Sequence, residues 1–209
     1  MGARSRSSNP QPKASVRIIV RLVLWTWFLA ALVVGRLELL ARLPALAPQI
    51  ILVVLTALLL TACFGITAVR AWIDALDVRA LVLPHVTRFV GFYFLFLYQR
   101  GALPYAFAVP GGWGDIIVAS LAVGVVFLPL REELRHHVCF IWNTIGLVDI
   151  LFVVVTAARI GFSHPWQLGA LRVLPLSVLP TFLGPLILAT HVIIYVRLMR
   201  KSPETANPA

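Results

Sequence analysis

Charge is scarce in this chain. Of its 209 residues only 12% are Asp, Glu, Lys or Arg, and the acids number eight. So few ionisable groups allow no Ser-His-Asp triad and no pair of catalytic carboxylates, and the reading leans away from an enzyme. Lysine is almost missing, two residues against sixteen arginines. No Lys-Ser/Thr pair follows the glycines of Pro110 to Asp115, so that stretch is not a P-loop. Cysteine is limited to Cys63 and Cys139. Neither has the spacing of a zinc or redox site, and both read as small buried hydrophobes. Nor does a net charge of +10 point to nucleic acid. The basic arm is short and has no interleaved aromatics.

Two N-terminal motifs also lack their key residues. Arg6 stands where a myristoylation motif wants Ser or Thr, and Ser5 separates Arg4 from Arg6, which excludes a twin-arginine signal. Spans 1–3 and 4–6 share no visible repeat, so an inverted-repeat transporter has no support here. The Ala45-Leu46-Ala47 site is followed by Pro48, and the first apolar run is read as a span, not a cleaved signal peptide.

What the chain has is apolar length. Sixty per cent of residues are hydrophobic and the mean hydropathy is +0.93, which suits lipid as the solvent. At about 20 residues per crossing, the chain makes roughly six helices. The expectation is an all-α polytopic bundle with spans at 16–35, 49–69, 80–98, 115–130, 138–158 and 177–199. Residues 1–15 form a disordered arm and 200–209 a tail. A Pro/Gly-rich turn, Gly101 to Gly114, joins spans 3 and 4, with Asp115 capping the fourth span and Tyr105 and Trp113 anchoring at the interface.

Arginine and lysine fix the orientation. Twelve fall on the side of the termini and five on the other, with Arg88 inside the membrane. The positive-inside rule then places both termini in the cytoplasm. The Arg-over-Lys bias fits a GC-rich bacterial genome, hence an inner membrane. The bilayer is the expected partner, with a homo-oligomer or a membrane-complex partner also compatible with the pattern.

Function is sought in the ionisable groups within apolar runs, because each costs several kcal/mol to leave unpaired in hydrocarbon. These are His85, Arg88, Asp149 and His191, with Asn143 as polar companion. At about 1.5 Å per residue, His85 and Asn143 lie roughly 8 Å deep, Arg88 roughly 12 Å and Asp149 roughly 17 Å, all counted from the cytoplasmic side. Three helices thus bring polar groups toward one region. A first reading is an interhelical clamp, with Arg88 paired to Asp149 and the histidines bonded to backbone or Asn143. A second is a polar cavity open to the cytoplasm that binds an anion, a proton or a small polar solute. A third is haem held axially by His85 and His191, although no cofactor is otherwise expected. The run E-E-x-x-H-H, Glu132 to His137, lacks zincin spacing and reads as a solvated loop.

The motif His85-x-x-Arg88-x-x-Gly91 is followed by Gly101-x-Leu103-Pro104, Phe107-Ala108-x-Pro110-Gly111 and Gly114-Asp115. Then come Trp142-Asn143-x-x-Gly146-Leu147-x-Asp149 and Leu176-x-x-Leu179-Pro180-Thr181-Phe182, on to His191. In this order, over about residues 80–198, they resemble a group of small uncharacterised bacterial multi-pass inner-membrane proteins. The resemblance implies a helical bundle and brings no activity. From the residues themselves, the expected function is small-solute or ion transport or binding at His85, Arg88, Asn143, Asp149 and His191. The alternative is a structural or partner-binding subunit.

Overall fold

The computed structural model describes residues 14–129 and 131–200. The arm before Ala14, the end of the fourth span at Leu130 and the tail from Lys201 lie outside the described residues. Every regular element among the described residues is helical. Six helical runs are long and apolar enough to cross a membrane: Ser15–Arg36, Ala47–Gly65, Val78–Gln99, Tyr105–Phe127, Leu134–Ser163 and Leu179–Arg200. The chain is therefore an all-α, multi-pass membrane bundle. Its outward side chains, Leu22, Leu58, Phe92, Ile141 and Val148 among them, are more than half exposed within the protein. In a bilayer they face lipid.

Helix α1 (Ala14–Arg36) starts earlier than expected and takes in Ala14 and Ser15, the end of the presumed arm. It lies at the edge of the bundle, with little of its surface buried. Helix α2 (Ala47–Gly65) ends four residues short of the expected Val69. Ile66 is extended there, and a separate short helix α3 (Thr67–Asp74) follows. Much of the expected loop between spans 2 and 3 is thus helical.

The third span is built from three pieces. Asp77 caps α4 (Val78–Val82), its Oδ1 accepting from the Arg79 N–H at 2.8 Å. The 3-10 segment Leu83–Val90 follows, then α5 (Gly91–Gln99). Pro84, at the start of the 3-10 segment, has no N–H to continue the α4 hydrogen-bond ladder. Three residues per turn place residues three apart on one edge. His85 and Arg88 occupy that edge, and both are buried.

The largest departure from expectation is α6 (Tyr105–Phe127), which runs straight through Pro110, Gly111, Gly112 and Gly114. The turn shrinks to the few residues before Pro104, with Gly101 in the left-handed region at φ 69°. In lipid no water can satisfy a free backbone group, so a helix outcompetes a glycine-rich turn. The glycines instead let helices approach closely. Gly91 and Gly112 meet with so little space that a Cβ on Gly91 would run into the Gly112 carbonyl. Asp115 is consequently ten residues inside the helix and caps nothing. Trp113 and Tyr105 also belong to this helix and point outward.

Helix α7 (Glu132–Ser163) likewise absorbs most of the expected loop Arg131 to His137. The last span opens with a π-helical turn, Leu179–Leu183, and continues as α8 (Gly184–Arg200). Pro185 cannot donate to the carbonyl of Thr181, four residues earlier. The Trp27 indole takes that carbonyl instead, at 2.8 Å. Phe182 packs on Trp27 and Phe28, which fastens α1 to the bundle.

Two apolar cores result. One, around Val82, Val125, Cys139, Trp142 and Ile194, fills the half nearer the chain ends. The other, around Phe94, Phe107, Val153 and Leu176, fills the opposite half. A belt of polar side chains separates them.

Candidate functional site

Arg88 is the centre of that belt. Its Nε donates to Asp115 Oδ1 at 2.6 Å, its Nη1 to the Gly146 carbonyl at 3.0 Å, and its Nη2 to Asp149 Oδ2. The guanidinium thus uses all three nitrogens on two neighbouring helices. Its side chain is 1% exposed, against 6% for Asp115 and 15% for Asp149. Arg88 stands ten residues from one end of its span and eleven from the other. Asp115 is similarly central in Tyr105–Phe127, as is Asp149 in Leu134–Ser163. The three residues of the cluster therefore stand near the middle of their spans.

Next to this triad the two histidines touch. Their ring centroids are 4.3 Å apart, and Trp142 packs edge-on against His85. His85 Nε2 meets Thr190 Oγ1 at 3.0 Å, and that hydroxyl lies within bonding distance of the carbonyls of Leu186 and Ile187. His191 Nδ1 meets Asn143 Oδ1 at 2.8 Å, while the Asn143 amide nitrogen donates back to the His191 carbonyl at 3.1 Å. His85, Asn143 and His191 have no exposed surface. All five residues proposed from the sequence come together in one connected group.

Three further residues contribute that were not expected at the site. Asp115 is the most important; following a helical period through the glycines would have placed its carboxylate inside an apolar span. Trp142, whose indole donates to the Val118 carbonyl at 3.0 Å, and Thr190 complete the setting. Glycines make the room. A Cβ on Gly114 would collide with the Asp149 carboxylate, and one on Gly146 would come within 2.7 Å of His191 Cε1. Gly114→Ala should therefore destabilise the bundle, even though alanine favours a helix by about 1 kcal/mol over glycine. An unfolding midpoint measured in detergent checks this; a rise would contradict the packing described.

A cavity of about 80 Å³ reaches the triad, lined mainly by apolar side chains with Arg88 and Asp115 among them. Gln49, Phe94, Phe107, Ala157 and Leu171 also line it, and these belong to the half of the bundle away from the chain ends. On the side of the chain ends the Val82–Cys139–Ile194 core fills the space instead. A second hollow, of about 460 Å³, lies beyond that core and is lined by Asp77, Glu132, Arg135, His136, Cys139 and Arg197.

Haem does not fit the histidine pair. A porphyrin with its iron must stand between two axial rings, and these rings are already in contact with each other. One nitrogen of each is also committed to Thr190 or Asn143. His136, expected in a solvated loop, is on α7 with Nε2 at 3.1 Å from the Leu198 carbonyl. Among the described residues no group of three or more His, Cys, Asp or Glu could hold a metal ion.

No curated protein and no solved structure matches this chain. A family model described as a domain of unknown function, DUF8737, matches residues 45–199. That match takes in five of the six spans and every residue of the polar belt. The chain belongs to the DUF8737 family, a domain of unknown function.

Proposed function

We propose that the protein is a transport or binding bundle for a small solute or ion, with a proton as the ion that completes its central site. The observation that carries this reading is the charge count of the buried triad. One guanidinium faces two carboxylates, Asp115 and Asp149. With both ionised the group has a formal charge of −1 at mid-bilayer, where an uncompensated charge costs several kcal/mol. A single proton restores neutrality without needing extra space. The apolar cavity ending on Arg88 and Asp115 supplies an approach from one side and a place for a small solute. We place the protein in a bacterial inner membrane with both ends cytoplasmic, a reading supported by the excess of arginine and lysine on the terminal side.

A second reading is favoured by one observation: every nitrogen of Arg88 already has a partner within the protein. On that reading the triad only clamps three helices. Buried ion groups of this kind can often be replaced by well-packed apolar residues with no loss of stability. The test is uptake into vesicles of reconstituted protein, screened over small solutes with and without a pH gradient. The transport reading predicts gradient-driven uptake that disappears in Asp149→Asn while the protein stays folded. If no solute moves, and a variant with Arg88→Met, Asp115→Leu and Asp149→Leu supports the same cellular phenotype as the natural chain, the clamp reading holds.

A further inference from the structure

We propose that His85 and His191 form a second proton station, which takes the proton from the triad on its way toward the terminal side; this rests on the proton reading of the triad above. Two ring nitrogens of this pair are orphaned. His85 Nδ1 and His191 Nε2 are buried and have no hydrogen-bond partner. The bonds of the other ring nitrogens say what these atoms are. The Thr190 hydroxyl has one hydrogen, and two backbone carbonyls are at hand to accept it. It therefore accepts from His85 Nε2–H, which leaves His85 Nδ1 as a bare lone pair. The Asn143 amide nitrogen donates to the His191 carbonyl, so its oxygen is the atom facing His191 and must accept from Nδ1–H. His191 Nε2 is then also a bare lone pair. Two proton acceptors thus sit in touching rings without a donor, an arrangement that requires an explanation wherever it is buried.

Position supplies that explanation. His191 Nε2 lies against α7 at Gly146, whose carbonyl holds Arg88 and which is one turn before Asp149. His85 is one 3-10 turn from Arg88 on the same edge. The charged groups of the same belt are Arg88 from span 3 and the two carboxylates it holds, Asp115 from α6 and Asp149 from α7; α8 contributes Thr190. In the transfer, the carboxyl O–H bond of Asp149 breaks, a water molecule passes the proton on, and an N–H bond forms at His191 Nε2. Asp149 remains as a carboxylate beside Arg88, and the new imidazolium keeps its Nδ1–H bond to Asn143. The triad then has charge −1 and the histidine +1, so the belt as a whole stays neutral throughout.

Beyond the pair the route is closed. Val82, Cys139 and Ile194 have no exposed surface, and Cys139 also lines the hollow that holds His136. Asn143 and His136 are seven residues apart on α7, about 10 Å, so one apolar layer separates the pair from that hollow. Ile194 is one turn from His191 toward it.

The experiment opens the layer and asks where protons go. In vesicles holding a pH-sensitive dye, Ile194→Asn is expected to leak protons under an imposed potential. His191→Gln added to it should return the leak to that of empty vesicles, and His85→Gln should reduce it. A leak that His191→Gln leaves unchanged would overturn the proposal while leaving the triad's proton in place. Should Ile194→Asn not fold, nitrogen NMR of histidine-labelled natural protein decides. The expected spectrum has a hydrogen on His85 Nε2 and on His191 Nδ1 with the other nitrogens bare, and reversed tautomers would overturn the proposal.

Discussion

Arg88→Met is expected to be the most damaging single substitution in the bundle, costing about 3–5 kcal/mol. Methionine fills much of the same volume, so the loss is electrostatic. Two carboxylates on α6 and α7 would then face each other at mid-bilayer with no cation between them. The Gly146 carbonyl would lose its donor as well. The control is compensation. Adding Asp115→Asn and Asp149→Asn to Arg88→Met removes both negative charges and should recover most of the lost stability. The measurement is the unfolding midpoint in detergent, with size-exclusion monodispersity as a check on folding. If Arg88→Met unfolds no more easily than the natural chain, the guanidinium is not holding these helices.

The two carboxylates should respond in a strongly non-additive way. Asp149→Asn alone leaves Arg88 paired with Asp115 and makes the group formally neutral, so its effect on stability should stay within about 1 kcal/mol. Asp115→Asn alone should behave similarly, with a larger loss from its 2.6 Å bond to Nε. Both together strand a buried guanidinium, at a cost of about 3–5 kcal/mol. The coupling between the sites, read from a double-mutant cycle, should therefore be large. Two independent pairs would give additive losses instead. The cycle thus separates a triad with one excess negative charge from two separate salt bridges.

The expected contrast between single and double variants lets one site serve both the fold and the proposed function. The fold needs one negative charge beside Arg88. The second carboxylate exceeds that need, and on the proposed function it is the group on which a proton comes and goes.

Much of this was legible in the sequence, and the limits have physical causes. Long apolar runs gave the six crossings, because a bilayer sets helix length directly. His85, Arg88, Asn143, Asp149 and His191 stood out because ionisable and amide groups are rare within such runs. The fourth span was misplaced because proline and glycine break helices in water. In lipid, backbone satisfaction outweighs that preference, and Pro110 to Gly114 stay helical. That one misreading hid Asp115 and with it the second carboxylate of the triad. The start of the fifth span was read too late because α7 recruits charged residues from Glu132 onward, which apolar counting leaves out. The side on which the cavity lies depends on how two cores fill the bundle, and no local pattern encodes it.

The most direct test of the central claim is an infrared measurement of carboxyl protonation in purified protein near neutral pH. One protonated carboxyl C=O stretch, shifted by deuterium exchange, is expected in the natural chain. That signal should vanish in Asp149→Asn and equally in Asp115→Asn, since either change leaves a single carboxylate matched to Arg88. A natural chain with no protonated carboxyl, or a signal that survives both substitutions, would contradict the claim that a proton completes this triad.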